Sequence, residues 1–207
     1  MKVPCLYPNE TAICFATGPS LTAEDIELVR PYHEKGMVRT FGCNDSYKVV
    51  DFLDVHYACD VYWWEHHGMN CLKTLPPTCH VWTQSQQMAI TFKLNHIPGR
   101  HEPAFCVKDS GFIHYGDNSG FQLLNLAYHY GIRKFILLGY NMGLVNHKRH
   151  FFGDHPGRMN KESPYEKFII AYNLIQPDIK SVIINCTTNS ALNCFKTSTL
   201  KEELAKL

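Results

Sequence analysis

Asn118-Ser-Gly-Phe-Gln-Leu-Leu-Asn-Leu-Ala-Tyr-His-Tyr-Gly131, running into Arg133-Lys-Phe-Ile-Leu-Leu-Gly-Tyr-Asn-Met142, decides how this chain is read. Phe121 and Leu124, and Leu123, Ala127 and Tyr128, recur at three- and four-residue spacing until Gly131 stops the pattern. The spacing predicts a helix closed by glycine, and the continuous run Phe135-Ile-Leu-Leu138 predicts a buried strand after it. Unbroken apolar strands belong to parallel sheets covered by helices on both faces, and such sheets hold ligands beyond the strand carboxyl ends. Gly139-Tyr-Asn-Met142 falls at such an end.

Strands and helices are expected to alternate on either side of this stretch. Residues 11–16 form an apolar strand that breaks at Gly18-Pro19, and a helix follows near Ala23, with Ser20 and Thr22 as candidate caps. Further strands are expected at 37–43, ending in Asn44-Asp45-Ser46, and at 54–59, ending in Asp60. Trp63 and Trp64 occupy adjacent helical positions and are not expected to share one core, which leaves one of them for a cleft. Residues 70–117 are the least regular part, with short strand candidates at 79–83 and 104–107. A helix over 165–175 is expected to start with Ser163 as cap and Pro164 in its first turn. A strand at 182–186 and a final amphipathic helix from Thr199 complete the chain. The expected fold is α/β: a single Rossmann-like domain over residues 1–207, with a mostly parallel sheet and helices on both faces.

A chain of 207 residues that is 45% hydrophobic suffices for one domain with a full core. A net charge of +1 gives no large field and demands no nucleic-acid or membrane partner. The nine cysteines are scattered without a CxxC pair, and Cys14, Cys106 and Cys186 fall in apolar runs. Free buried thiols in a reducing cytoplasm are therefore expected, rather than disulfides or a zinc site. No run approaches the ~20 apolar residues of a membrane span, so a cytoplasmic location is expected.

Two regions carry candidate chemistry. The strand, glycine turn and helix start around Gly18 form either an ordinary turn or an anion site made by unpaired backbone N–H groups. The turn lacks both the GxGxxG and the GxxxxGK[ST] patterns. Asn44, Asp45 and Asp60 at strand ends are either turn formers or readers of a base edge or a ribose hydroxyl. The second region, residues 146–158, packs His147, Lys148, Arg149, His150, Asp154, His155 and Arg158 into one loop after a buried strand. Either His147, His150, Asp154 and His155 bind a metal, though at no closed zinc spacing, or one histidine is a general base held by a carboxylate. In the second case Lys148, Arg149 or Arg158 would neutralise phosphate. A solvated histidine-rich loop is the third reading.

In order, Gly18-Pro19-Ser20-Leu21, Cys43-Asn44-Asp45, Asn118-Ser119-Gly120, Leu138-Gly139-Tyr140-Asn141-Met142, His150-Phe-Phe-Gly-Asp-His155 and Asn185-Cys186-Thr-Thr-Asn-Ser190 resemble the motif set of a family of short phage and prophage proteins. That family is distantly similar to bacterial CMP-sialic acid-dependent sialyltransferases, and the hydroxymethylpterin diphosphokinase-like family shares its core. The resemblance implies nucleotide binding by Thr17, Gly18, Pro19, Ser20, Asn44, Ser119, Gly120 and, by adjacency, Asn118; Asp45, Asp60, Gly139, Tyr140 and Asn141, at strand carboxyl ends, are further candidates for the same nucleotide. It implies His155 as general base, with Asp154, His150 and Arg149 beside it. The chain departs from the family at Thr17, where an asparagine is usual, and at Phe151 and Phe152, which cannot donate hydrogen bonds to a leaving phosphate.

The implied activity is inverting, metal-independent glycosyl transfer from a nucleotide-sugar, with no cofactor. A modified DNA base or a surface glycan is the expected acceptor, and self-association of the chain is a further partner reading. Two alternatives stay open: a magnesium-dependent diphosphokinase using Asp45, Asp60 and Asp154, and a nucleotide-binding protein without catalysis.

Overall fold

The computed structural model describes residues 2–155, 157, 160 and 162–207. The first half alternates β1 (Thr11–Phe15), α1 (Ala23–Glu34), β2 (Arg39–Cys43), β3 (Val55–Tyr57), α2 (Val61–Thr74), β4 (His80–Thr83), α3 (Gln86–Phe92) and β5 (Asn95–His96). The second half contains β6 (Gly99–Arg100), β7 (Ile113–His114), α4 (Ser119–His129), β8 (Lys134–Leu138), α5 (Tyr165–Asn173), α6 (Pro177–Lys180), β9 (Ile183–Asn185), β10 (Lys196–Thr197) and α7 (Leu200–Leu204).

Eight strands form one parallel sheet in the order β10-β9-β8-β1-β2-β3-β4-β5, and β6 and β7 pair separately. The chain builds outward from β1 to β5, then returns to place β8 on the other side of β1, so the winding reverses between these two strands. This is the Rossmann-like α/β arrangement, and its crevice opens where the order reverses. No helix among the described residues is long and apolar enough to cross a membrane.

Period-two alternation divides the strands between two cores. Ala12, Cys14, Phe135 and Leu137 face a cluster with α4, α5 and α6, while Ile13, Phe15, Ile136 and Leu138 face one with α1, α2 and α7. Ten of the eleven residues of α4 are buried. Leu123, Leu124 and Leu126 are fully buried, each worth about 1.5–3 kcal/mol of transfer free energy.

The two buried amides of α4 organise the irregular stretch before it. Asn125 Oδ1 accepts from the backbone N–H groups of Cys106 (3.0 Å) and His114 (3.0 Å), and its Nδ2 donates to Cys106 O (2.8 Å). Gln122 accepts from Tyr57 OH and donates to Tyr115 O, both at 2.8 Å. Residues 104–107 are accordingly not a strand. Their backbone groups bond to side chains, including both atoms of the Gln176 amide on Phe105.

Two other expectations are corrected. Trp63 and Trp64 do share one buried cluster, ring centroids 5.0 Å apart and edge to face, because two indoles at right angles fill adjacent volumes, while Trp63 also lines a cleft, as was expected of one of the pair. Helix α5 begins at Tyr165, with Pro164 rather than Ser163 at its cap position and no side-chain cap. Thr22 caps α1 through a reciprocal capping box with Asp25, as its position before Ala23 suggested. All nine cysteines are free, and Cys14, Cys106 and Cys186 are buried.

Asn125→Ala would orphan two buried N–H groups and a carbonyl, and about 3 kcal/mol of destabilisation is expected in urea unfolding. A loss below 1 kcal/mol would show that 104–114 is held by other means. Glu203 is buried against Lys134 and Lys206. Burial pushes its carboxyl up, but hydrogen bonds from the two lysines outweigh this and bring it to about 2, below the ordinary 4.5. Its stabilisation is therefore complete above the unfolded value and fades as pH falls from about 4.5 towards 2. Wild type should be more stable than Glu203→Gln at pH 7, with the difference closing by pH 2.

Candidate active site

The ends of β1 and β8 are held together by backbone. Gly18 N donates to Gly139 O at 2.8 Å, and Ala16 N to Leu138 O at 2.9 Å. A side chain on Gly18 would sit 2.2 Å from Asn141 Oδ1 and 2.3 Å from Gly139 O, so this approach requires glycine. Gly139 adopts φ +74 and meets Ala16 O from the other side. Asn141 then locks the turn: its Oδ1 accepts from Ser20 N (3.2 Å) and Oγ (2.8 Å), and its Nδ2 donates to Thr188 O (2.8 Å).

Above this junction lies a cleft of about 440 Å³, walled by strand ends β1, β2, β3 and β8, the N-terminus of α4, the 149–155 loop and the start of α5. Of the expected nucleotide residues, Thr17, Gly18, Asn44, Asp60, Asn118, Ser119, Gly120, Gly139 and Asn141 line it. Pro19 and Ser20 do not, and the N–H groups of Gly18 and Ser20 are engaged by Gly139 O and Asn141 Oδ1. Tyr140 is fully buried under the cleft, with its hydroxyl directed to Gly120 O. Beyond the left-handed turn at Gly139, its ring packs in the cluster of α4 and α5, off the cleft wall.

The N-terminus of α4 also opens on the cleft. Asn118 caps it through Oδ1 to Phe121 N (3.0 Å) and also accepts from Tyr172 OH (2.8 Å). The N–H groups of Ser119 and Gly120 have no carbonyl within the helix to bond and carry its positive dipole end. Arg149 reaches the cleft held by Asp154 Oδ1 (2.9 Å) and Asn160 Oδ1 (2.6 Å). Asp154 is thus an exposed clamp for Arg149 and lies off the cleft wall. His147 and Lys148 are exposed and also off it, and Arg158 lies outside the described residues.

His150 and His155 both line the cleft, ring centroids 4.7 Å apart. His150 Nδ1 lies 3.0 Å from Thr17 Oγ1, its ring stacks on Phe152, and Phe151 N donates to Thr17 O at 3.0 Å. Burial lowers its pKa to about 4, with the His155 charge acting in the same direction. His155 Nδ1 is 3.9 Å from Asp45 Oδ2. Burial lowers the His155 pKa while the Asp45 carboxylate opposes that shift.

Asp45 was expected at the nucleotide. It is instead wholly buried behind the wall, accepting from Trp63 Nε1 at 2.9 Å and pairing with Lys48. Burial pushes its carboxyl up, but those two contacts prevail and hold it below the ordinary value. The carboxylate facing the candidate base therefore comes from the end of β2, not from neighbouring Asp154. Asp45, Asp60 and Asp154 do not converge as ligands for one ion: the group of metal-type donors that meets among the described residues is Asp45 with His67 and His155.

Sequence reading missed Tyr165 and Phe168 of α5 as cleft residues. Their three-residue spacing places both on one face of the helix, the only signal the sequence offers for them. Asn44 stands at φ 48, an uncommon conformation for a non-glycine residue, and its Oδ1 is buried without a partner among the described residues, as is Tyr165 OH.

No protein-family model matches the chain, and no curated protein matches it. Among solved structures it is similar to the MAf glycosyltransferase from Magnetospirillum magneticum AMB-1, with a TM-score of 0.68 at 12% identity. The likeness covers 97% of this chain and 35% of that one, so the chain spans about a third of that protein's length. At this identity the likeness establishes a shared fold.

Gly18→Ala is expected to destabilise the protein by about 1–3 kcal/mol in thermal unfolding, since its neighbours are backbone and a locked amide. Wild-type stability in this variant would mean that the β1–β8 junction yields easily.

Proposed function

We propose that the chain is an inverting glycosyltransferase that takes a nucleotide-sugar as donor, with His155 as proton acceptor. The observation that carries the reading is the pairing, at a sheet-reversal cleft, of a buried carboxylate with an imidazole on the cleft wall. Asp45 faces Nδ1 of His155, which leaves Nε2 as the nitrogen available to substrate. The glycosyltransferase neighbour of the same fold supports the reaction class.

In this scheme the donor's phosphates lie against the N-terminus of α4 and Arg149. Asn44 and Asp60 meet the nucleoside, and Tyr62, Tyr165 and Phe168 offer aromatic surface. The acceptor oxygen attacks the anomeric carbon as the bond to the phosphate oxygen breaks. Its electron pair leaves with the nucleotide, and the acceptor's proton passes to His155. Asp45 stabilises the imidazolium that forms, and Arg149 meets the charge growing on the leaving phosphate. His150, bonded to Thr17 and held near a pKa of about 4, is ill suited to accept that proton at neutral pH. A hydroxyl on a modified DNA base or on a glycan fits as acceptor.

Thermal unfolding against CMP, UDP and GDP, and sugars linked to them, tests the donor site. A ligand at 100 times its dissociation constant should add about 2.7 kcal/mol. His155→Ala should keep that shift while nucleotide release from the stabilising sugar-nucleotide falls by about 10²–10⁴-fold. Stabilisation by none of the panel would refute the donor site, and unchanged release in His155→Ala would refute the base.

A further inference from the structure

Behind the cleft wall, three donor atoms from three elements converge. A carboxylate oxygen of Asp45 at the end of β2, Nε2 of His67 on α2 and Nδ1 of His155 on the loop lie within 4.8 Å of one another. His67 Nε2 is 3.7 Å from Asp45 Oδ1, and His155 Nδ1 is 3.9 Å from Oδ2. These separations exceed a hydrogen bond. They approach the ~3.3 Å kept by two ligands sharing one ion at about 2.0–2.1 Å in tetrahedral geometry. Both imidazole nitrogens are buried and have no hydrogen-bond partner among the described residues. His67 as a whole is 7% exposed, so its Nε2 has no solvent to turn to.

We propose that Asp45, His67 and His155 bind one divalent transition-metal ion of the zinc class, with its remaining coordination position towards the cleft. Two imidazoles and one carboxylate suit zinc, cobalt, nickel or ferrous iron better than magnesium, which prefers oxygen. Trp63 Nε1 already orients Asp45 from outside the group, as an outer-sphere partner would. Lys48 is the resident cation on Asp45, and its ammonium also lies 4.9 Å from the centroid of the Phe152 ring. An incoming dication would replace a single charge while the ammonium keeps that aromatic contact.

The site stands on these atoms alone. Its effect on turnover rests on the transferase reading: an ion on Nδ1 of His155 leaves the ring proton on Nε2, which then cannot accept another. An occupied site would switch the base off.

The full chain, stripped with chelator, should take up one Zn²⁺ per chain by calorimetry. Co²⁺ should give visible bands of low coordination number without a thiolate charge-transfer band. His67→Ala and Asp45→Asn should weaken Zn²⁺ binding by at least ~100-fold, while His147→Ala, an exposed histidine of the same loop, should leave it unchanged. His155→Ala, on the loop rather than in a helix or strand, supplies a third variant should the other two misfold by circular dichroism. Absence of saturable binding, a thiolate band, or full affinity in the folded variants would overturn the site. None of these readouts depends on donor or acceptor, so they stand apart from the outcome for the transferase.

Discussion

The close approach of two backbones, Gly18 against Gly139, is the constraint from which the cleft follows. Parallel strands β1 and β8 lie side by side at the point where the chain reverses its winding. Their ends must part to form a crevice, yet stay joined at its floor. The Gly18 to Gly139 bond provides the joint, and Asn141 ties it to Ser20 and to the loop after β9. Once the floor is fixed, Thr17 is placed to hold His150, and the histidine loop is fastened over the cleft by Phe151 N.

Charge within the site is sparse and mostly neutralised. Desolvation keeps the imidazoles of His150 and His155 below their ordinary pKa, so they arrive as neutral groups. Asp45 stays ionised only because Lys48 and Trp63 satisfy it. This combination of an ionised buried carboxylate and unprotonated rings suits both of the proposed chemistries, proton acceptance and metal ligation, which exclude one another at His155.

Much of the fold was legible because it rests on local periodicity. Helix α4 and strand β8 follow from apolar spacing and Gly131, and Thr22 from its position before an acidic turn. The stretch 97–117 was not legible, since its strands are two residues long and its backbone bonds to amides of Asn125 and Gln176 far along the chain. At the site, residue types were visible but partners were not. Proximity in sequence pointed to Asp154 beside His155, whereas the facing carboxylate is Asp45, contributed by a different strand end. Tyr140 shows the converse: its motif position was plain, but the left-handed turn at Gly139 breaks the alternation of β8 and its ring is buried on the α4 side of the sheet.

The pairing of Thr11 with Lys134 also bears on how the molecule comes into being. Strands β1 to β5 can associate as they are synthesised, each beside its predecessor. The groove cannot exist until β8 emerges and inserts along the exposed edge of β1, a contact of large sequence separation and slow closure. Until α4 and then β8 emerge, the nascent half-sheet presents the apolar face that α4 covers. The same arrangement that makes β1 the floor of the cleft leaves it, during assembly, the edge most open to mispairing with another chain.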